Sequence, residues 1–230
     1  MLQRLAAFGY RLLNKHRVSK KKSTVSDSNL VANRAFDENA RKRFYRNRFV
    51  TDQRILRNFK LGYSDMAYAG CEIIAVFNAC ELCRNIAYRD KDLRSKACDP
   101  DEMLLLDKIQ GDFIPFSDMI RRAETGGYLV RFGKWGTNPL RLPEYASRYG
   151  LRLERLPNDL PHREGIYILS FWNNKKLMSG VHTACIEIVG DTVVTYNLHY
   201  ADNPISYSHG KLASEFKVKR LIAVYRVSKR

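Results

Sequence analysis

The sequence lacks the long apolar run that a transmembrane helix needs. No window of the 230 residues approaches the roughly 18 consecutive apolar residues of a membrane span. Residues 1–17 contain apolar side chains, but Gly9, Tyr10 and Arg11 interrupt them before a continuous signal-peptide core can form. We therefore expect neither a membrane span nor a secretory signal, and we place the chain in the cytoplasm.

Cysteine is also scarce and badly placed for a disulfide framework. There are five cysteines, an odd number, and Cys71, Cys80 and Cys83 crowd into 13 residues. The spacing Cys80-x-x-Cys83 has no second pair, and neither His162 nor His209 lies at a spacing typical of a zinc ligand. We expect a reducing compartment, a core role for this pair, and no metal or other cofactor.

Acidic side chains are few, and the imbalance is uneven along the chain. The sequence has 40 Lys and Arg against 24 Asp and Glu, a net charge of +16. Residues 1–60 contain 16 basic and 4 acidic side chains, net +12, and residues 61–230 contain the other 24 and 20, net +4. The charge therefore belongs mainly to the N-terminal quarter, and the remainder has an ordinary mixed surface.

The N-terminal quarter divides into two parts. Residues 1–28 are predicted to form a basic amphipathic segment followed by a charged, Ser-rich linker, residues 19–28. Residues 29–230 are predicted to form one domain with a basic helical lead-in, residues 29–57. Residues 1–48 suit an anionic membrane surface or an acidic partner, with peripheral membrane attachment as the consequence; a partly ordered basic tail is the alternative. Arg alternates with aromatics in residues 41–48, but no nucleic-acid-binding motif follows, so nucleic acid is not favoured.

Hydrophobic periodicity changes halfway along the chain. Apolar spacing predicts a largely buried helix over residues 73–88, and Pro and Gly positions predict two more over 115–124 and 139–148. The second half is β-branched and aromatic instead, with strands predicted at residues 165–172, 182–189, 192–198 and 221–227. Helices followed by an antiparallel sheet indicate the α+β class.

Cys71 follows Gly70 at the start of the buried helix. Free N–H groups and the positive end of the helix dipole favour a thiolate there, and the Cys71 N–H can stabilise an oxyanion. A small buried packing residue is the alternative reading. Glu72 suits the first helical turn, but it would oppose thiolate formation if it turned inward.

A hairpin supplies the partners for this cysteine. If Gly190 and Asp191 form a two-residue loop, Val189 pairs with Thr192, which sets His182 opposite His199 and diagonal to Asn197. A three-residue loop would put Leu198 there instead. Strand alternation then points these three side chains to one face. If the start of the helix packs against that face, a nucleophile, a base and an orienting residue come together. His199 either assists His182 or is a solvated hairpin residue.

The chain resembles papain-like cysteine peptidases. The sequences of several segments are similar to those of bacterial papain-fold proteins related to bacteriocin-leader peptidases. Residues 70–79 are similar to their nucleophile helix, and residues 133–139 are similar to a segment of uncharacterised members. Residues 181–184 and 196–198 are similar to their His and Asn strands. The resemblance covers roughly residues 58–227 and implies a papain-like fold. It also implies that Cys71 is the nucleophile, His182 the general base and acid, and Asn197 the orienting residue.

One position departs from the family pattern. The family usually places a Gln several residues before the Cys as an oxyanion donor, whereas here the nearest upstream Gln is Gln53. Asp65 would be unfavourable beside an oxyanion unless protonated, and Ser64, Tyr68 or a backbone N–H are the candidate substitutes. Trp135 and Asn138 either border the cleft or belong to a structural loop before the helix at Pro139.

These features predict a thiol hydrolase that cleaves a peptide or isopeptide bond of a peptide or protein substrate. A deamidase or acyltransferase using the same three residues is an alternative, because all three reactions share an acyl-thioester. A non-catalytic papain-fold binding module, whose basic N-terminal region binds anionic lipid or nucleic acid, is another.

Overall fold

A computed structural model describes residues 20–45, 49–85, 115–172, 180–199, 201, 203–216 and 220–230. Its helices are α1 (Lys20–Tyr45), α2 (Met66–Ala69), α3 (Cys71–Asn85), α4 (Phe116–Thr125), α5 (Leu142–Ser147) and α6 (His209–Phe216), with 3-10 turns at Gln53–Leu56 and Pro139–Arg141. Its strands are β1 (Lys60–Leu61), β2 (Ser64–Asp65), β3 (Leu129–Gly133), β4 (Gly136–Thr137), β5 (Leu151–Leu156), β6 (Gly165–Trp172), β7 (Val181–Val189), β8 (Thr192–Tyr196), β9 (Ile205–Ser208) and β10 (Arg220–Lys229). Mixed helix and sheet confirm the α+β class.

The main sheet is antiparallel, with strand order β5-β10-β6-β7-β8-β9. The β7–β8 hairpin has the predicted register, since Val189 pairs with Thr192 and Cys185 pairs with Tyr196. Strand β8 ends at Tyr196, two residues earlier than predicted. Residues 181–184 of β7 therefore extend beyond the last pair of the β7–β8 ladder, Cys185 with Tyr196.

The two faces of this sheet are buried against different helices. One face contributes Ile168, Cys185 and Tyr225 to a core cluster that contains most of α3. The other contributes Phe171, Ala184 and Ile186 to a second cluster, which includes Leu212 and Phe216 of α6. Helix α3 is buried over most of its circumference because it lies between this sheet and α4, as its apolar sequence predicted.

The segment predicted as a linker, residues 19–28, is instead helical from Lys20 onwards. Residues 20–28 are helical and continuous with the rest of α1, so a boundary after residue 28 falls inside a helix. Ser26 is buried and its hydroxyl donates to Glu124 Oε2, while Asn29 Nδ2 donates to Glu124 Oε1 at 2.7 Å and to Gly62 O at 3.0 Å. Small polar residues here bind a buried carboxylate about a hundred positions away, which composition alone cannot reveal. Residues 1–19 lie outside the described residues.

Other predicted elements agree in part. The helix predicted over 115–124 is α4, but the one predicted over 139–148 divides into a 3-10 turn and the short α5. Strand β5 was missed, although its Leu residues at 151, 153 and 156 nearly alternate. Residues 86–88 of the predicted first helix lie outside the described residues. Among the described helices, none is both long enough and apolar enough to cross a membrane.

Candidate functional site

Cys71 is the first residue of α3, as the sequence predicted. The preceding Gly70 caps α2 by donating its N–H to Met66 O, and a Cβ on Gly70 would lie 2.6 Å from that oxygen. Gly70 is therefore required for the sharp passage from α2 into α3. The passage places the Cys71 side chain at the helix start, 6% exposed.

The Cys71 sulfur lies against the backbone on both sides of His182. Sγ is 4.0 Å from Val181 O, and the Thr183 N–H donates towards the sulfur, which acts to lower the pKa of the thiol. These contacts join residues more than a hundred positions apart. They place the start of α3 at the part of β7 that extends past the end of β8.

Glu72 turns inward beside this thiol. It is 3% exposed, and its Oε2 accepts hydrogen bonds from Cys71 Sγ at 3.0 Å and from the Thr137 hydroxyl. Burial raises the pKa of Cys71 well above its usual range, and the negative charge of Glu72 raises it further. Burial also raises the pKa of Glu72, against hydrogen bonds from Cys71, Thr137 and Thr183. The sulfur is consequently a protonated thiol at neutral pH.

His182 is held by the main chain of Asn197. Its Nε2 lies 2.5 Å from Asn197 O. A carbonyl oxygen can only accept, so Nε2 carries the proton, and in the neutral ring Nδ1 is the basic nitrogen. The ring also packs edge-on against Phe171, with centroids 5.5 Å apart. These two contacts orient the imidazole on the face of the sheet that packs against α6, opposite α3, so the expectation that the start of the helix packs against the face carrying His182 is wrong.

The backbone of Asn197 does not have the strand conformation that the sequence predicted. Its φ is +59°, a left-handed conformation that Asn tolerates better than most residues. The chain therefore leaves the strand at this residue, and strand alternation does not govern its side chain. The carbonyl faces His182, while the side chain turns to Gln53.

Gln53, the nearest glutamine upstream of Cys71 in the sequence, is the residue that the Asn197 side chain contacts. Its main-chain N–H donates to Asn197 Oδ1 at 3.0 Å, and its Oε1 accepts from Asn197 Nδ2 at 3.1 Å. Its Nε2 donates to Ala67 O at 2.6 Å, in the helix immediately before Cys71. Buried Gln53 thus links the Asn197 turn to the approach to the nucleophile helix. Its long sequence separation hid this role.

The three candidate residues for the oxyanion site that precede Cys71 have different structural environments. Asp65 is the N-cap of α2, its Oδ1 accepting from the Tyr68 N–H at 2.9 Å. Ser64 pairs with Leu61 in the β1–β2 ladder. The Tyr68 side chain is 70% exposed. Asp65 therefore contributes to the helix start, as small acidic residues commonly do at an N-cap.

The two candidate cleft residues, Trp135 and Asn138, differ in burial and in their contacts. Asn138 is buried, and its Oδ1 accepts from the Leu140 N–H at 2.9 Å, so it caps the turn at Pro139 as the structural interpretation expected. It also lines a small cleft together with Glu72 and Thr137. Trp135 is 49% exposed, and the Arg131 guanidinium lies 4.0 Å from its ring centroid.

The remaining predicted candidates lie elsewhere. Cys80 and Cys83 are buried in the core cluster on the α3 side, and Cys98 lies outside the described residues. His199 Nε2 is 3.0 Å from Glu215 Oε2 of α6. Across the part of the chain that is described, no group of three or more His, Cys, Asp or Glu residues is arranged to hold a metal ion.

Comparisons with protein-family models, with curated proteins and with solved structures find no match for this chain.

Proposed function

We propose that the protein is a thiol hydrolase of papain-like fold that cleaves a peptide or isopeptide bond. Cys71 is the nucleophile, His182 the general base and acid, and Asn197 the residue that positions His182. The observation that carries this proposal is that the Cys71 sulfur lies against the β7 backbone next to His182, 4.0 Å from Val181 O. The orientation of that histidine by Asn197 supports it.

The first step needs a base, because burial leaves Cys71 protonated. Because the His182 ring packs against Phe171 on the α6 side of β7, the proposal requires the ring to move towards the sulfur, where Nδ1 takes the thiol proton as the sulfur attacks the carbonyl carbon of the substrate. The resulting imidazolium is stabilised by the Nε2–H hydrogen bond to Asn197 O, which strengthens when the ring is charged. His182 then gives the proton to the departing nitrogen, and the acyl group remains on sulfur as a thioester.

The second step hydrolyses the thioester. His182 removes a proton from water, the water oxygen attacks the acyl carbon, and the sulfur leaves and regains its proton. The Cys71 N–H at the start of α3 is the proposed donor to the oxyanion in both steps. Gln53 supports Asn197 in this scheme, because its amide is already engaged with Ala67 and Asn197.

p-Nitrophenyl acetate tests the proposal without a known substrate. We expect an acetyl group on Cys71, detected by mass spectrometry, and continued release of nitrophenolate as the thioester hydrolyses. His182→Gln should reduce the acylation rate about a hundredfold. Cys80→Ala is the matched control, because Cys80 is a buried cysteine of the same helix, and it should leave the rate unchanged. Equal acetylation of Cys71 and Cys80, or no effect of His182→Gln, would overturn the proposal.

A further inference from the structure

Three aromatic side chains are exposed on the segments that precede Cys71 and on the β3–β4 turn. Tyr63, Tyr68 and Trp135 are 44%, 70% and 49% exposed. Tyr68 lies three residues before Cys71, and Trp135 lies two residues before Thr137, which bonds the neighbouring Glu72. The hydrogen bond from Thr137 therefore connects the segment that carries Trp135 to the residue next to Cys71.

Basic side chains cover two of these aromatic rings, those of Tyr63 and Trp135. Arg131 lies 4.0 Å from the Trp135 ring centroid, and Lys134 Nζ lies 5.7 Å from that of Tyr63. Asp65 is the acidic residue between Tyr63 and Tyr68 in sequence, and its Oδ1 is engaged in capping α2. We define the aromatic–basic surface as Tyr63, Arg131, Lys134 and Trp135.

The backbone that presents this surface is strained and tightly supported. Arg131 and Phe132 both have left-handed φ angles, +46° and +52°, which are unfavourable for residues other than glycine. The Tyr63 N–H donates to Phe132 O at 2.9 Å, and a Cβ on Gly62 would lie 2.2 Å from that oxygen. Glycine at position 62 thus allows the two turns to touch. Strain maintained by surrounding contacts is typical of ligand-binding segments.

The chemistry of the surface favours carboxylates. A cation over an aromatic ring covers one face of the ring, which disfavours base stacking there, while its N–H groups can donate hydrogen bonds to an anionic partner. A peptide held there can extend towards Cys71, because Thr137, two residues after Trp135, bonds Glu72 beside that cysteine.

We propose that the aromatic–basic surface binds an acidic segment of the polypeptide substrate and thereby determines specificity. This inference rests on the proposed hydrolase function, because the surface is assigned to the same substrate. The occupant is a chain rich in Asp or Glu, recognised by Arg131 and Lys134 and packed against Tyr63 and Trp135.

Binding is measured with the Cys71→Ala protein, so that catalysis does not contribute. The probe is fluorescein-labelled poly(Glu,Tyr) at about 150 mM salt, followed by fluorescence anisotropy. We expect Lys134→Glu to weaken binding about fivefold and Trp135→Ala to weaken it without any change in charge. Lys211→Glu is the matched control: Lys211 is an exposed lysine 5.5 Å from the Tyr207 ring centroid, and its reversal changes the net charge equally.

Three results would overturn the inference. The first is no measurable binding of poly(Glu,Tyr), and the second is equal weakening by Lys211→Glu, which would assign the binding to net charge. The third is tighter binding of poly(U) with the same dependence on Lys134, which would assign the surface to nucleic acid. If p-nitrophenyl acetate does not acylate Cys71 in the unaltered protein but poly(Glu,Tyr) still binds as described, only the hydrolase function is refuted.

Discussion

His182 is oriented by the main chain of Asn197, whose carbonyl oxygen lies 2.5 Å from His182 Nε2. The Asn197 side chain is used elsewhere, in two hydrogen bonds with Gln53. What positions the imidazole is therefore the left-handed turn at residue 197, with the amide side chain holding that turn in place.

This arrangement predicts different outcomes for two substitutions of Asn197. Asn197→Gly adopts a positive φ without strain, so the carbonyl should remain beside His182 and Cys71 acylation should fall only a few-fold. Asn197→Ala loses the same hydrogen bonds and adds about 1–2 kcal/mol of left-handed strain. It should therefore acylate more slowly than Asn197→Gly in the p-nitrophenyl acetate assay. An equal loss in both would mean that the side chain itself orients the histidine.

Glu72→Gln should make Cys71 more reactive. The negative charge of Glu72 raises the pKa of the Cys71 thiol, so removing it lowers that pKa and increases the thiolate fraction at a given pH. The rate of iodoacetamide alkylation of Cys71, plotted against pH, should shift to lower pH. Glu81→Gln is the control, because Glu81 follows Cys80 on the same helix as Glu72 follows Cys71. A Cys71 profile that does not move, or that moves equally with Glu81→Gln, would contradict this prediction.

Alkaline pH should destabilise the protein through its buried thiols. Burial raises the pKa of Cys71 and Cys185 well above the usual range, so the folded protein retains protons that the unfolded chain releases. Their contribution to stability is fully present below the unfolded thiol pKa of about 8.5 and is lost as the pH rises towards the folded pKa. The urea midpoint should fall from pH 8 to pH 10, and less steeply in Cys185→Ala. A constant midpoint would exclude this linkage.

Loss of the Glu124 carboxylate should loosen α1. Buried Glu124 accepts from Ser26, from Asn29 and, at 2.7 Å, from the Gly62 N–H. Glu124→Ala leaves these donors buried without their acceptor and should cost about 3 kcal/mol of unfolding free energy. Glu124→Gln keeps an acceptor oxygen and should cost less. Hydrogen exchange in α1 should accelerate most in Glu124→Ala; unchanged protection would show that α1 is held by other contacts.

Several features were predictable from local chemistry. Gly190 and Asp191 specified the hairpin register, and Gly70 followed by an apolar sequence specified Cys71 as the start of a helix. The position of Glu72 next to Cys71 predicts that an inward-turned carboxylate would oppose thiolate formation, and the Glu72 side chain is turned inward.

The features that escaped prediction depend on long-range contacts. Ser26 lies in a polar, basic stretch that reads as a linker, and only Glu124 gives it a buried partner. Gln53 lies far from Cys71 in sequence and reaches Asn197 through folding alone. The positive φ of Asn197 broke the strand alternation from which its side-chain direction was inferred.

The relative alkylation of Cys71 and Cys80 tests the central claim most directly. The two cysteines share a helix and are 6% and 4% exposed, so a difference in their rates with iodoacetamide reports chemistry rather than access. The account predicts that at pH 7 Cys71 reacts at least about tenfold faster than Cys80, and that His182→Gln removes this advantage. A Cys71 that reacts no faster than Cys80, or whose rate is unchanged in His182→Gln, would contradict it.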